Sequence, residues 1–185
     1  MLAKKRSWLL LMSAFALIAA ARGTPSLSAS SVLFPAATSA PTRTKVRHVS
    51  PRLISHYRSV AWRWQAVVGA HRTRAPVRPN TARVLRFWRR TARRALITFT
   101  HPPHRRAWLC IHRYEAPWRD SGDPYWGGLQ MDRGFMAGYA PHALLRRGWA
   151  DRWSPLEQMW VAEHAYRSGR GFEAWPNTAR LCGLS

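Results

Sequence analysis

Acidic residues are missing from the first 114 positions of this chain. Those positions carry 22 of the 30 Lys and Arg, whereas positions 115–185 carry 8 basic residues and all 8 acids and sum to zero. The formal charge of +22 therefore belongs to the N-terminal part, and a field of one sign favours association with anionic polymers. Cysteine is scarce: Cys110 and Cys182 are the only two, and neither a paired-cysteine motif nor HExxH occurs. The sequence therefore offers no metal site, and no cofactor is expected. His101 and His104, beside Pro102 and Pro103, read as loop residues rather than ligands. Long hydrophobic runs are absent too. The apolar stretch from Trp8 to Ile18 falls short of the roughly 20 residues a bilayer-spanning helix needs.

That stretch follows Lys4, Lys5 and Arg6 and precedes Ala19-Ala20-Ala21, the layout of a cleavable signal peptide over 1–21. The protein is thus expected to be secreted and cell-wall associated. The polyanions there are wall polymers, peptidoglycan carboxylates and lipid headgroups, and no nucleic-acid partner is expected. Residues 22–44, rich in Ser, Thr, Ala and Pro, read as a flexible tether.

A basic helical hairpin is expected over 45–103. Its first helix starts at Ser50-Pro51, carries Leu53, Tyr57, Val60, Trp64 and Val67 on one stripe and stops at Gly69. The second starts at Asn80, with Leu85, Trp88, Ala92, Ala95 and Phe99 on one side and Arg83, Arg86, Arg90 and Arg93 on another. Trp62, Trp64 and Trp88 need burial, so docking of the hairpin on the rest of the chain is favoured over a position on a membrane surface. Pro79-Asn80-Thr81-Ala82-Arg83 recurs as Pro176-Asn177-Thr178-Ala179-Arg180, and both copies read as Asn-capped turns without a domain repeat.

The acids cluster in a compact domain over 104–185, bracketed by Cys110 and Cys182. In an exported chain an even cysteine count reads as a disulfide, worth roughly 4 kcal/mol for a loop of this length. Ser154-Pro155-Leu156-Glu157 is a capping box opening a helix with apolar positions almost all round, which marks a buried central helix ending at Gly169. Arg105 to Glu115 reads as another helix, closed by Pro117, with Trp108, Ile111 and His112 on the face of Glu115. The apolar face and the negative helix end both favour a protonated carboxyl there, as general-acid work requires; the position equally suits an ion pair with Arg113 or Arg119. Beyond the turn cluster around Ser121, Tyr125-Trp126 supplies aromatic surface. Gly127-Gly128 leaves backbone bare for a ligand, and Gln130 offers a donor and an acceptor to hydroxyl or acetamido groups. The same Trp-Gly-Gly run also fits a tight β-hairpin.

Taken in order, Cys110, Glu115 and Trp118, then YWGGLQMD (125–132), SPLEQMWVAEHAY (154–166), GRGF (169–172) and WPNTARLCGL (175–184) resemble the transglycosylase-like domain of the resuscitation-promoting factor family, within the lysozyme-like superfamily. The resemblance implies a mainly α (α+β lysozyme-like) fold and cleavage of the β-1,4 bond between N-acetylmuramic acid and N-acetylglucosamine in peptidoglycan. It makes Glu115 the catalytic acid and places Trp118, Ser121, Tyr125, Trp126, Gly128 and Gln130 along the glycan. Cys110 and Cys182 become the family disulfide, the protein a monomer, and a partner cell-wall hydrolase possible. Two positions depart from the family pattern: Ala116, where Gly or Ser is usual, and Glu173, where an aromatic stands. Only Asp120, Asp123 and Asp132 lie near enough in sequence to act as a second carboxylate, so a single-acid lytic mechanism is expected, with hydrolysis open as the other outcome. A non-catalytic wall-binding protein is the alternative reading.

Overall fold

The computed structural model describes residues 49–74 and 81–184, all within the compact unit Lys45–Ser185. The expected signal peptide (1–21), the tether (22–44) and Asn80 lie outside the described residues. Helices dominate. The expected β component is reduced, among the described residues, to one antiparallel bridge between Trp126 and Met131. No helix of the described residues is long and apolar enough to cross a membrane.

The region expected as a hairpin holds two helices, α1 (Pro51–Val68) and α2 (Ala82–Thr100). Pro51 occupies the first turn of α1, where its missing N–H leaves nothing unpaired. Gly69 ends the helix in the left-handed region at φ 73°. At the start of α2 the cap is Thr81, whose hydroxyl accepts from the Val84 N–H at 3.3 Å. The buried line on α1 is Ile54, Ala61 and Val68 with Val67, not the expected stripe: Leu53 is 41% exposed, and Tyr57, Val60 and Trp64 are half-buried. The reason is side-chain size. Ala61 shares a core cluster with Ala92, Ile54, Val84 and Trp88, so α2 seats where α1 is thinnest, while Trp62 and Trp88 meet edge to face at 5.8 Å beside it. Arg83, Arg86, Arg90 and Arg93 are all exposed.

The two helices dock on the C-terminal part through the C-terminal ends of both, so they lie side by side in the same direction rather than as the expected antiparallel hairpin. Trp64 stacks on Phe99 at 4.1 Å, Trp160 Nε1 donates to the Phe99 carbonyl at 2.7 Å, and Val67, Val68 and Phe99 join the main core. At the centre of that core lies α6 (Pro155–Ala165), whose residues from Glu157 to Glu163 are all buried. The capping box forms: the Ser154 hydroxyl accepts from the Glu157 N–H and the Glu157 carboxylate from the Ser154 N–H at 2.8 Å. Continuation of α6 is a π-helical turn, Tyr166–Arg170, which breaks at Gly169 with φ 98°.

Two fully buried polar residues of α6 organise the segments around it. Glu163 accepts from the His104 N–H and from Trp108 Nε1, both at 2.8 Å, and so anchors the start of α3 (Arg105–Tyr114). Gln158 donates to the carbonyls of Trp118 at 2.8 Å and Ala150 at 2.7 Å and accepts from the Gly128 N–H at 2.9 Å. With partners on both ends of the amide, neither burial leaves an unsatisfied group. Further on, α4 (Arg133–Tyr139) is capped by Asp132, the short α5 spans His142–Leu145, and α7 spans Pro176–Leu181. The second copy of the repeated pentapeptide opens α7, but Asn177 lies inside the helix and Trp175 holds the cap position, so the expected Asn cap is not formed. Asn177 Oδ1 instead accepts from Arg180 at 2.8 Å.

One ion pair gives a pH dependence. Arg147 donates to Glu157 at 2.6 and 3.1 Å, and the Glu157 side chain is only 4% exposed. Burial alone pushes the Glu157 carboxyl up. The Arg147 and Ser154 hydrogen bonds and the Arg147 charge outweigh it and hold the carboxyl below its ordinary 4.5. A carboxyl lowered in the folded state contributes stability that is complete above the unfolded value and is lost as pH falls through the folded one. Thermal melts should therefore fall in midpoint on acidification below about pH 4.5. Arg147→Ala should weaken the protein at neutral pH and flatten that decline; an unaltered acid limb in the variant would assign the decline to other groups.

Candidate active site

Helix α3 delivers Glu115. Its N–H closes the last turn onto the carbonyls of Ile111 at 3.2 Å and His112 at 3.3 Å, and the chain then leaves the helix toward Pro117. The carboxylate is half-buried, and its partner is neither Arg113 nor Arg119: Thr178, from α7, donates its hydroxyl to Glu115 Oε1 at 2.8 Å. This contact spans 63 positions of sequence and is held by the disulfide between Cys110 and Cys182, Cα–Cα 6.0 Å, which joins α3 to the end of α7.

Around Glu115 lies a depression of about 210 Å³, walled by Tyr125, Gln130 and the segment Ala174 to Thr178. Tyr125, Gln130, Ala174 and Trp175 also wall an adjoining depression of about 370 Å³ that runs past Asp132 and Phe135 to Arg170. The two form one groove with an acid at one end and a guanidinium at the other. Trp175 is buried, with Nε1 donating to the Leu129 carbonyl at 2.6 Å, so it forms rigid wall. Tyr125 is 48% exposed and free to stack on a ligand.

The loop between Trp126 and Met131 is a minimal hairpin, with the two residues exchanging backbone hydrogen bonds at 3.0 Å. Its glycines are needed for internal packing rather than to bare the backbone to a ligand. A Cβ on Gly127 would come within 2.5 Å of Gln158 Oε1, and one on Gly128 within 2.6 Å of His112 Nδ1 and 2.7 Å of the Trp118 ring. Gln130 adopts φ 46°, rare for a side chain with a Cβ, and is held there by Nε2 donating to Asp120 Oδ2 at 2.8 Å and to the Gly127 carbonyl at 2.9 Å. Both amide hydrogens are thus committed, and the oxygen is the part left for a ligand.

Of the residues expected along the glycan, Glu115, Tyr125 and Gln130 come together. Trp126 is only 6% exposed, packed at 5.8 Å from Trp149 under the Arg133 guanidinium, and presents no open ring face. Trp118 is half-buried, stacked on His112 at 3.9 Å, and Gly128 is buried beneath both. Ser121 is exposed and lies outside the lining of either depression. Thr178, Trp175 and Asn177 enter the site although the residue pattern does not single them out. The cysteines carried a signal for Thr178: one helical turn before Cys182, it is brought to α3 by the disulfide.

The other carboxylates near the loop are committed: Asp120 to Gln130, Asp123 to Arg133 at 3.3 Å, and Asp132 to the Phe135 N–H at 2.7 Å. Glu115 is the only carboxylate walling the first depression. Comparison with family models, curated proteins and solved structures finds no match to this chain.

Proposed function

We propose that the protein is an exported peptidoglycan-cleaving enzyme with a lysozyme-like C-terminal domain, acting on the β-1,4 bond between N-acetylmuramic acid and N-acetylglucosamine. The observation that carries this reading is the half-buried carboxylate of Glu115, the one acid walling the first depression, hydrogen-bonded on one oxygen by Thr178 and facing an exposed Tyr125 and the free amide oxygen of Gln130. The motif resemblance to the resuscitation-promoting factor family supports it. In the reaction, the protonated Glu115 gives its proton to the bridging oxygen as the C1–O bond breaks, and the leaving sugar departs as an alcohol. The resulting carboxylate then takes the proton of the muramic 6-hydroxyl as that oxygen bonds to C1, closing a 1,6-anhydro ring and regenerating the acid. No water is consumed, and holding the hydroxyl near C1 makes the second step intramolecular. The prior hydrogen bonds of Asp120 and Asp123 favour this course over a water activated by a second acid.

Mass spectrometry of muropeptides released from purified peptidoglycan tests the reading. Anhydro-muramic products, lighter by one water than hydrolysis products, are expected. Hydrolysed products would keep the enzyme and change the second step; no release of either kind would overturn the enzymatic reading.

A second reading, a wall protein that binds glycan and polyanions without cutting, is favoured by the exposed arginine row of α2. In the proposed enzyme that row retains the protein on anionic wall polymers. Such surface attraction is screened over about 8 Å at physiological salt. Raising ionic strength should therefore elute the protein from isolated walls while cleavage of soluble fragments continues; salt-indifferent retention would remove the electrostatic role.

A further inference from the structure

A larger depression, of about 540 Å³, borders the groove. Arg170 walls both it and the second depression of the groove, and Pro176 walls both it and the depression around Glu115. Its other walls are apolar, from Tyr166, Phe172, Ala179 and Leu184, and the volume suits a short peptide or small organic ligand. The polar groups on it are mainly cationic. Arg180 is held in place by Nε donating to the Pro176 carbonyl at 3.2 Å and Nη2 to Asn177 Oδ1 at 2.8 Å. Arg170 sits between two left-handed glycines, Gly169 and Gly171, and close enough to Tyr139 to help Ser168 draw that phenol's pKa down. Neither guanidinium belongs to an ion pair among the described residues, and Glu173 is the one carboxylate on the wall.

An apolar-walled cavity with two guanidinium groups uncompensated by ion pairs selects a ligand with an aliphatic body and carboxylate groups, since a carboxylate accepts the paired N–H donors of arginine. A bare glycan strand offers only the short lactyl carboxylate on each muramic sugar, held close to the ring and without an extended aliphatic body. The peptide branch on those sugars offers both: small aliphatic side chains and free carboxylates, attached within reach of the bond that is cut. We propose that this cavity binds the acidic peptide branch of the wall polymer, so that the protein prefers peptide-bearing strands to bare glycan. The inference rests on the groove being the glycan site, and it names what distinguishes one glycan from another there.

The experiment has two parts. In the first, a sugar-free acidic stem peptide is titrated into the isotope-labelled protein. Amide shifts are expected at Gly171, Phe172 and Ala179 and none at Glu115, and Arg180→Gln should weaken the binding roughly tenfold, as loss of one charge-assisted hydrogen bond implies. In the second, cleavage of peptide-bearing strands is compared with cleavage of strands stripped by an amidase. The wild type should prefer the former, and Arg180→Gln should reduce the ratio of the two rates by a similar factor; circular dichroism of the variant checks that α7 is intact. Absence of shifts in the cavity, or a rate ratio that Arg180→Gln leaves unchanged, overturns the proposal. If the glycosidase reading is the one at fault, neither polymer is cut while the peptide still shifts the cavity residues.

Discussion

Glu115→Gln should lower cleavage of peptidoglycan by about 10²–10⁴-fold, the usual contribution of a positioned general acid, and leave the fold unchanged. The substitution is close to isosteric, and its amide oxygen still accepts from the Thr178 hydroxyl, which sits 2.8 Å from Oε1 in the parent. Only the transferable proton is removed. Thr178 supplies a graded companion. Its hydroxyl occupies Oε1, leaving Oε2 as the oxygen that carries the proton, so Thr178→Val deletes a hydrogen bond to an ionisable acceptor worth about 1.5–3 kcal/mol. A fall in kcat of roughly ten- to a hundredfold should follow, with Thr178→Ser restoring most of it. Clearing zones in a peptidoglycan zymogram, followed by rates on soluble fragments, measure both. Equal clearing by wild type and Glu115→Gln would place the acid elsewhere.

Legibility from sequence followed the range of the interaction. The Pro51 start, the Gly69 stop and the Ser154–Glu157 capping box are decided within a few residues, and the sequence displays them directly. The disulfide was legible because two cysteines leave only one possible pairing. What sequence periodicity could not give was decided between elements. The buried line of α1 moved from Leu53 to Ile54 because α2 seats against Ala61. Trp126 reads as a sugar platform by its neighbours Tyr125 and Gly127, yet the bridge to Met131 turns it into core. Glu163 and Gln158 look polar enough to be surface residues; each is buried because its partners, His104 and Trp108 for one, Gly128 and Trp118 for the other, arrive from 30 to 59 positions away. Asn177 is a good cap in isolation, but Pro176 at the first helical position takes the start of α7 two residues earlier, with Trp175 as its cap.

Loss of the disulfide should be the largest change in stability available from a conservative substitution. The Cys110–Cys182 bond closes a loop of 72 positions, and in the chain-entropy account the unfolded chain regains about 4 kcal/mol of freedom when it is removed. Against a typical total of about 5–15 kcal/mol this is a large fraction, equivalent to a fall in Tm of roughly 10–15 °C for a unit of this size. Activity should fall further than the unfolded fraction explains. Helix α7 is short, Pro176–Leu181, and buries only Thr178 and Ala179, so little apolar surface holds it against α3 once the covalent tie is gone. Its departure separates Thr178 from Glu115 and opens the Trp175–Pro176 wall of the groove. The paired Cys110→Ser, Cys182→Ser variant, assayed well below its own Tm, should therefore show a reduced kcat alongside intact far-ultraviolet circular dichroism. A variant that melts within a few degrees of wild type, or that cuts at full rate when folded, would mean that packing alone fixes α7 and that the disulfide is not what positions the acid.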